Sequence, residues 1–372
     1  MKFLIISTDY PRFLRWYYGQ HPRSQDLSYE EQLRRRDDSL FAEVHACVRN
    51  LRKLGHEAWV VHANNEVMQK TWAREHALTI SDLQWKFRWR RQVVPWVSRV
   101  PRSWFYPILA AQIKYYRPDV LLNQAMDHVS GALLNAVKPD VRLVVGQHAA
   151  SPVPVDNVQS YDLIVSSFPP TVENFRETGI PAELHRLGFD PYVSSSIASE
   201  RGVFDVTFVG SFEAAVHSTR ISWLEDLCRR LPQLKIWAPH VEHLSPTSPI
   251  PSHYAGQAWG REMYEILHAS KITLNHHGDV PPFANNLRLY ESTGVGTMLV
   301  TDWKDNLHEM FVLGKEVVTY HSADECAERV EHYLEHGAER EAIASAGHQR
   351  TLRDHTFHDR MREFVDIVHK YL

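Results

Sequence analysis

The chain has 372 residues, of which 44% are hydrophobic, and this is enough for two buried cores, so we expect two domains. Lys and Arg total 41 against 45 for Asp and Glu, and the formal charge of −4 gives no global reason to expect nucleic acid as a partner. The three cysteines lack C-x-x-C spacing, and no segment reaches the roughly 18 apolar residues of a membrane-spanning helix. We therefore expect a protein of the reducing cytoplasm.

The first half of the chain alternates apolar runs with helical patterns. Each run ends in polar residues, and a helical pattern over 40–55 stops at a glycine. Strands that alternate with helices predict a parallel, doubly wound sheet, here over residues 1–191. The strand candidates are KFLIIST (2–8), EAWVVHA (57–63), PDVLLNQ (118–124), VRLVVGQH (141–148) and YDLIVSS (161–167).

A second series of the same kind follows the serine-rich stretch YVSSSIASERG (192–202), which is typical of a linker. It predicts a second domain over 203–355, and the helical pattern in 356–372 is expected to pack back on the first domain. The sequence thus predicts an α/β fold of two Rossmann-like, doubly wound domains that face a cleft. The strand candidates are FDVTFVGS (204–211), LKIWAP (234–239), KITLNHH (271–277), TMLVTD (297–302) and EVVTYHS (316–322).

One helix of the second half has the features of an anion site. It is expected over 286–293, after the loop HHGDVPPFANN, with Asn285 or Asn286 as its N-cap. Backbone N–H groups at such a helix end can bind a diphosphate without a glycine-rich loop, and neither G-x-x-x-x-G-K-[ST] nor G-x-G-x-x-G occurs. Glu291 lies one turn further on, where its carboxylate can reach ribose hydroxyls. The alternative is that Glu291 only complements the helix dipole.

A second segment offers donors to the same diphosphate. FVGSFEAAVHSTR (208–220) places Gly210 and Ser211 after a strand and Arg220 near the start of the next helix. His276 and His277 end another strand in the same half, and one of the two must face away. The alternative for Arg220 is an ordinary surface position on its helix.

From about Phe208 to its end, the chain resembles the C-terminal half of glycosyltransferases of the two-Rossmann-domain, GT-B type, nearest the spore-maturation CgeB-like group. The resemblance is carried by KITLNHH, by NLRLYESTGVGTMLVTD, by EVVTYHSADECAERVEHYL and by the late I-A-x-A-G…H-T-x-x-x-R (343–360). It implies a sugar-nucleotide donor, with Glu291 on the donor ribose. It also implies that the donor-binding loop contributes Phe283, Ala284, Asn285, Asn286 and Arg288.

Two further donor contacts follow from the same resemblance. The family's usual glutamate eight residues before Glu291 is replaced by Phe283, and Asp279 is the candidate substitute for its sugar contact. Trp259 and Gly260, in HYAGQAWG, would lie against the nucleobase, and a stacked aromatic ring is reasonable there. A buried core tryptophan is the alternative.

In the first domain the resemblance is at the level of the fold alone. An inverting transfer needs a general base for the acceptor hydroxyl, whereas a retaining one can depend on positioning and on phosphate stabilisation. The candidates for that base at strand ends are Asp9, Asp127, His128 and His148. Asp127 could instead be a helix N-cap, and His148 a structural histidine.

Residues 84–107 interleave tryptophan with arginine, unlike the mildly acidic remainder of the chain. This composition is typical of contact with anionic lipid or with an anionic acceptor, and the alternative is ordinary packing with a solvated basic face. The sequence as a whole predicts a glycosyltransferase that uses a nucleotide diphosphate sugar and an unidentified acceptor, without metal or cofactor. A nucleotide-sugar epimerase or hydrolase, and a non-catalytic nucleotide- or carbohydrate-binding protein, are the alternatives.

Overall fold

The computed structural model describes the chain except residues 81–82, 91–93, 102–103, 150–157, 213, 278–282 and 285. The side chains of 83–90, 94–101 and 214–218 also lie outside the described part. In that part, no helix is long and apolar enough to cross a membrane.

The described strands form two six-stranded parallel sheets and one antiparallel hairpin. The predicted α/β fold of two doubly wound domains is confirmed. The strands are β1 Lys2–Ser7, β2 Glu57–His62, β3 Leu83–Arg90, β4 Val94–Pro101, β5 Val120–Asn123, β6 Leu143–Gln147, β7 Leu163–Ser166, β8 Ala182–Leu184, β9 Phe204–Val209, β10 Leu234–Trp237, β11 Tyr254–Gly256, β12 Ser270–Asn275, β13 Met298–Asp302 and β14 Val318–Tyr320.

Helices cover both faces of each sheet. The helices predicted over 286–293 and 356–372 have counterparts whose ends differ by a few residues. The helices are α1 Pro11–Gln20, α2 Tyr29–Asp38, α3 Val44–Lys53, α4 Glu66–Glu75, α5 Phe105–Tyr116, α6 Gly131–Val137, α7 Pro169–Glu177, α8 Tyr192–Ser196, α9 Ala214–Arg230, α10 Ile250–His253, α11 Arg261–His268, α12 Arg288–Gly294, α13 Ala323–Glu335, α14 Gly337–Asp354 and α15 Phe357–His369.

The order of the strands differs between the two sheets. The first runs β2-β1-β5-β6-β7-β8 and the second β11-β10-β9-β12-β13-β14. The direction of chain winding reverses between β1 and β5 in the first sheet, and between β9 and β12 in the second. Open parallel sheets bind ligands beyond the carboxyl ends of their strands at such a switch point. The fold therefore directs attention to the residues after these four strands.

The last helix belongs to the core of the first domain. Phe357, Phe364 and Val368 on α15 pack with Phe3 and Ile5 of β1. Thr356 caps this helix, since its hydroxyl oxygen accepts from the backbone N–H of Asp359 at 3.2 Å. The chain thus begins and ends in the same domain.

The predicted linker, 192–202, begins with the short helix α8. Two of its serines bond back to the helix, because the hydroxyls of Ser195 and Ser196 each donate to the carbonyl of Tyr192 at 2.8 Å. Asp190 accepts from the Tyr192 N–H at 3.1 Å and fixes the start of the turn. The serines that suggest a linker therefore stabilise a turn of helix at its beginning.

Candidate functional site

A cavity of about 530 Å³ lies between the two domains, where both switch points meet. Its walls come largely from the last residues of the four strands named above and the residues directly after them. The first domain contributes Ser7, Thr8 and Gln124, and the second contributes Gly210, Ser211, Asn275 and His276. The two sheets thus present their carboxyl ends to one shared space.

Glu291 lies on the second domain's wall of this cavity. It is 7% exposed, and Leu289 and Tyr290 beside it on α12 are buried in the domain core. Its Oε2 is 2.8 Å from Nη1 of Arg288, and its Oε1 accepts from the Tyr264 hydroxyl at 3.4 Å. Burial and the nearby Glu291 raise the pKa of Tyr264 well above its usual value, so the phenol keeps the proton that it donates. The carboxylate is therefore fixed in orientation, with lone pairs left for a hydroxyl.

The prediction that Asn286 is the N-cap of this helix is wrong. The helix begins at Arg288, and Leu287 precedes it without a side-chain cap. The Asn286 amide donates instead to Oδ1 of Asn275 at 2.9 Å. This hydrogen bond joins the loop before the helix to the end of β12. Asn286 still lines the cavity. Asn285 and Asp279 lie outside the described residues.

Phe283 and Ala284 lie away from the cavity, so the donor contacts expected of them are corrected. The Phe283 ring packs edge-on against Phe168 of the first domain, with 6.0 Å between centroids. Ala284 is buried, and its backbone N–H donates to Oδ1 of Asn306 at 2.6 Å.

Arg220 is buried in the cavity wall, and the surface alternative for it is wrong. It is 7% exposed although it lies on helix α9. Its guanidinium donates to the carbonyls of Ser211 at 3.0 Å and of His276 at 2.5 Å. One cation therefore joins the two strand-end loops of the second switch point and brings positive charge to the cavity.

The two adjacent histidines have different surroundings. His276 lines the cavity, and burial lowers its pKa, which favours the neutral ring. His277 is 1% exposed, with its Nδ1 2.6 Å from Oδ1 of Asp302. Burial alone would raise the pKa of Asp302, but His277 and Lys304 hold it well below its usual range. His277 is therefore part of a buried ion pair, and its expected donor contact is corrected.

Trp259 and Gly260 form a contact between the domains. The Trp259 ring is 8% exposed and lies edge-on to Phe13 and Phe41, at 6.0 and 5.4 Å between centroids. Gly260 has a φ of 52°, and a Cβ there would overlap the carbonyl oxygen of Ser39. Both residues nevertheless line a cavity between the domains, so the nucleobase contact expected of them stays a prediction.

A second cavity of about 660 Å³ adjoins the first. Both are lined by Gly210, Ser211 and Arg288, so these residues form the boundary between them. One wall of the second cavity is apolar and includes Trp237, Pro239, Ala258, Trp259 and Met263. A flat apolar ring system suits such a wall.

Asp9 is not placed to act as a base. It is 3% exposed, pairs with the guanidinium of Arg36, and has its Oδ2 3.2 Å from Nδ1 of His62. Burial opposes ionisation, but His62 and Arg36 hold the pKa of Asp9 well below its usual range. An ionised carboxylate already paired on both oxygens cannot take a proton near neutral pH, so this candidate is corrected.

Asp127, His128 and His148 are also outside the group of residues that line the cavity. Asp127 and His128 are exposed in a turn before α6, and the N-cap of α6 is Ser130, not Asp127. His148 follows β6, one strand away from the switch point. It is 7% exposed, and its backbone N–H donates to the carbonyl of Val165 at 2.9 Å. The centroid of its ring is 6.4 Å from that of Phe175. This packing is what the alternative interpretation of His148, as a structural histidine, predicts.

Sequence reasoning missed Glu43, the carboxyl group that the first domain does present to the cavity. It also missed Ser7, Thr8 and Gln124. A signal existed for the last three, because each is a polar residue at a strand end. None existed for Glu43, which lies on a loop whose course depends on distant partners.

The histidines beside that loop do not favour a metal ion. Ligand atoms of Asp37, His45 and His62 lie within 4.8 Å of one another. However, Nη1 of Arg36 is 3.1 Å from Nε2 of His45, and arginine can only donate. The His45 proton must then sit on Nδ1, 2.5 Å from Asp37, and that nitrogen cannot bind a metal. The donor set fits a hydrogen bond between neutral His45 and Asp37 instead.

Comparisons with known proteins agree with the fold. Residues 220–366 match the model of the glycosyl transferase-like family. Across the whole chain, the fold is similar to that of Anabaena HepE in complex with UDP-glucose, at a TM-score of 0.61 and 11% identity, with 100% of each chain covered. No curated protein matches the chain at a significant level.

Two further solved structures have the same fold. They are sucrose-phosphate synthase from Thermosynechococcus elongatus and a glycosyltransferase from Rickettsia africae. Each has a TM-score of 0.60 and 10% identity, with 100% of this chain and 98% of the other covered. The chain therefore has the GT-B fold, and its residues 220–366 are similar to the glycosyl transferase-like family.

Proposed function

We infer that this GT-B protein is a glycosyltransferase that takes a sugar from a nucleoside diphosphate sugar bound in the interdomain cavity. The observation that carries this inference is Glu291, held by Arg288 and Tyr264 on the cavity wall with lone pairs free for hydroxyls. The family match over 220–366 includes this wall. A carboxylate beside two arginines suits a ligand with a diol at one end and phosphates at the other.

The donor fits the two cavities in an extended pose. Its ribose lies at Glu291, and its diphosphate lies beside Gly210 and Ser211, between Arg220 and Arg288. The nucleobase enters the second cavity, against the apolar wall around Trp237 and Met263. Uracil is our choice of base, because HepE, with the same fold, is in complex with UDP-glucose.

The walls also suggest how transfer proceeds. The bond from the sugar C1 to the phosphate oxygen breaks, the acceptor oxygen bonds to C1, and the acceptor's proton passes to an oxygen of the departing diphosphate. Negative charge grows on the departing diphosphate, where the two arginines stabilise it without a metal ion. Ser7, Thr8 and Gln124 can orient the acceptor by neutral hydrogen bonds.

Two finer assignments stay proposals. The motif order in 271–360 supports the CgeB-like subgroup. The basic, tryptophan-rich segment 84–107 supports an anionic acceptor or a lipid surface as the contact of the first domain, and its side chains in β3 and β4 lie outside the described residues.

Calorimetry tests the donor site. We expect UDP and its sugars to bind the full chain, and Glu291→Gln to weaken UDP by roughly tenfold to a hundredfold, since hydrogen bonds to charged groups contribute about 1.5–3 kcal/mol. Glu262→Gln is the control, because Glu262 is an exposed glutamate on α11 outside both cavities. Wild-type protein that binds none of UDP, GDP and TDP would contradict the proposal.

Incubation with the donor alone separates the alternatives. A glycosyltransferase should release little UDP until an acceptor is added from a panel of sugars, lipids and peptides. An isomerised sugar would identify an epimerase, and rapid UDP release without acceptor a hydrolase. Tight UDP binding with no release under any acceptor would identify a non-catalytic binding protein.

A further inference from the structure

Glu43 is an unusual carboxyl group on the first domain's wall of the cavity. It is half-buried, and among the described residues no other residue offers it a cation or a hydrogen bond. Burial, and then the charge of Glu291 from the other domain, raise its pKa. The carboxyl group accepts from the backbone N–H of its own residue, and it lines the cavity with lone pairs left for a ligand.

The backbone holds Glu43 firmly in this position. Leu40 and Ala42 in the same loop have φ values of 57° and 63°, which side chains with a Cβ rarely adopt. Nη1 of the buried Arg36 donates to the carbonyl of Phe41 at 3.0 Å. Such strain persists where the surroundings determine the conformation, and it concentrates at ligand sites.

The same loop is fixed to the second domain. The Arg261 N–H donates to the carbonyl of Ser39 at 2.8 Å, and Gly260 packs against this carbonyl without a side chain. Glu43 thus has a defined place relative to Glu291, although the two residues belong to different domains. Their mutual effect is repulsive while the cavity holds no donor.

Two opposed carboxyl groups fit a ligand with two adjacent hydroxyl donors. A cation between them is disfavoured, because Arg288 already balances the charge of Glu291. We propose that Glu43 is a second hydroxyl-binding carboxylate, which accepts from one hydroxyl of the donor's ribose while Glu291 accepts from the other. This proposal rests on the proposed function. It makes the ribose a bridge between the domains, so that nucleotide binding and interdomain geometry are coupled.

Deoxynucleotides test the proposal on the full chain. We expect wild-type protein to bind 2′-deoxy-UDP and 3′-deoxy-UDP each about tenfold more weakly than UDP, the equivalent of about 1.4 kcal/mol. Glu43→Ala should bind UDP about tenfold more weakly and should no longer discriminate against one of the two deoxynucleotides. Glu291→Gln should lose discrimination against the other, and the control Glu262→Gln should change neither.

Glu43→Gln, which preserves volume, is measured in parallel, with thermal unfolding of each variant as the check on folding. The proposal is overturned if both folded Glu43 variants bind UDP like wild type, or if they discriminate against both deoxynucleotides as wild type does. Wild-type protein that binds no nucleotide would instead overturn the proposed function itself.

Discussion

The two domains use the same kind of switch point in opposite ways. The second domain brings Arg220, Arg288 and Glu291 to the cavity wall. The first domain brings neutral Ser7, Thr8 and Gln124 there, and it buries its charged residues Asp9 and Arg36 behind the wall. A shared fold therefore does not imply a shared role for its strand ends.

This difference shows what each wall can recognise. A ligand that carries phosphates finds compensating charge only on the second domain's side of the described cavity. The buried pair in the first domain serves to shape the loop that presents Glu43. Positive charge is thus used for binding in the second domain and for scaffolding in the first, and the following variants test that division.

The largest effect is expected for Arg36→Met. Arg36 is fully buried, and its loss leaves the Asp9 carboxylate without its cation, which typically costs about 3–5 kcal/mol in the free energy of unfolding. Urea unfolding measures the loss. Arg34→Met, on the exposed face of the same helix, should change stability by less than about 0.5 kcal/mol. Equal effects would deny Arg36 its scaffolding role.

A smaller loss is expected for Gly260→Ala. The added Cβ overlaps the Ser39 carbonyl at the interdomain contact, and overpacking of this kind costs about 1–3 kcal/mol. Thermal unfolding and UDP affinity should both decline, because the loop that holds Glu43 must shift. In Gly19→Ala the Cβ meets nothing within 4 Å, so that variant should not be destabilised. Wild-type behaviour of Gly260→Ala would place this contact outside the site.

Acid should destabilise the protein through buried histidines. Burial lowers the pKa of His45, His185 and His355 to about 4 each, while the unfolded chain has the ordinary value near 6.5. Between those values the unfolded state binds more protons, so the free energy of unfolding falls as pH falls from about 6.5 to about 4. Urea unfolding at a series of pH values should show this slope. It should be shallower in His185→Phe, and an unchanged slope would contradict the assignment.

The smallest effect is expected for Asp127→Asn. Asp127 lies exposed in a turn, outside the group of residues that line the cavity. Turnover should therefore stay within about twofold of wild type once an acceptor is known. A loss of several hundredfold would return Asp127 to the mechanism and would show that the first domain closes further around its acceptor.

Local patterns predict the sheets and the position of Glu291. Parallel strands buried on both faces appear as continuous apolar runs, whereas β8 and β11 read AEL and YAG, contain no such run, and were not predicted. The position of Glu291 could be predicted because it lies in the first turn of its helix, close in sequence to the loop that precedes the helix.

Features that depend on distant partners could not be predicted. Both the amide nitrogen and the oxygen of the Asn286 side chain face Asn275, eleven residues away, so Asn286 does not cap α12. Asp9 is paired with Arg36, 27 residues further along, so its apparent availability as a base is lost. Glu43 reaches the cavity only because Arg36 and Gly260 determine the path of its loop.

The return of the chain to the first domain limits how the two halves can move. The N–H of Phe189 donates to the carbonyl of His355, and the N–H of Phe357 donates to the carbonyl of Phe189, both at 2.8 Å. The two chain segments that connect the domains, around Phe189 and around Thr356, therefore lie side by side and are joined by two backbone hydrogen bonds. Sliding of the two segments past each other would break both bonds. A truncation before residue 357 would also remove one layer of the first core, so the amino-terminal half should need the severed tail, added as a peptide, to refold.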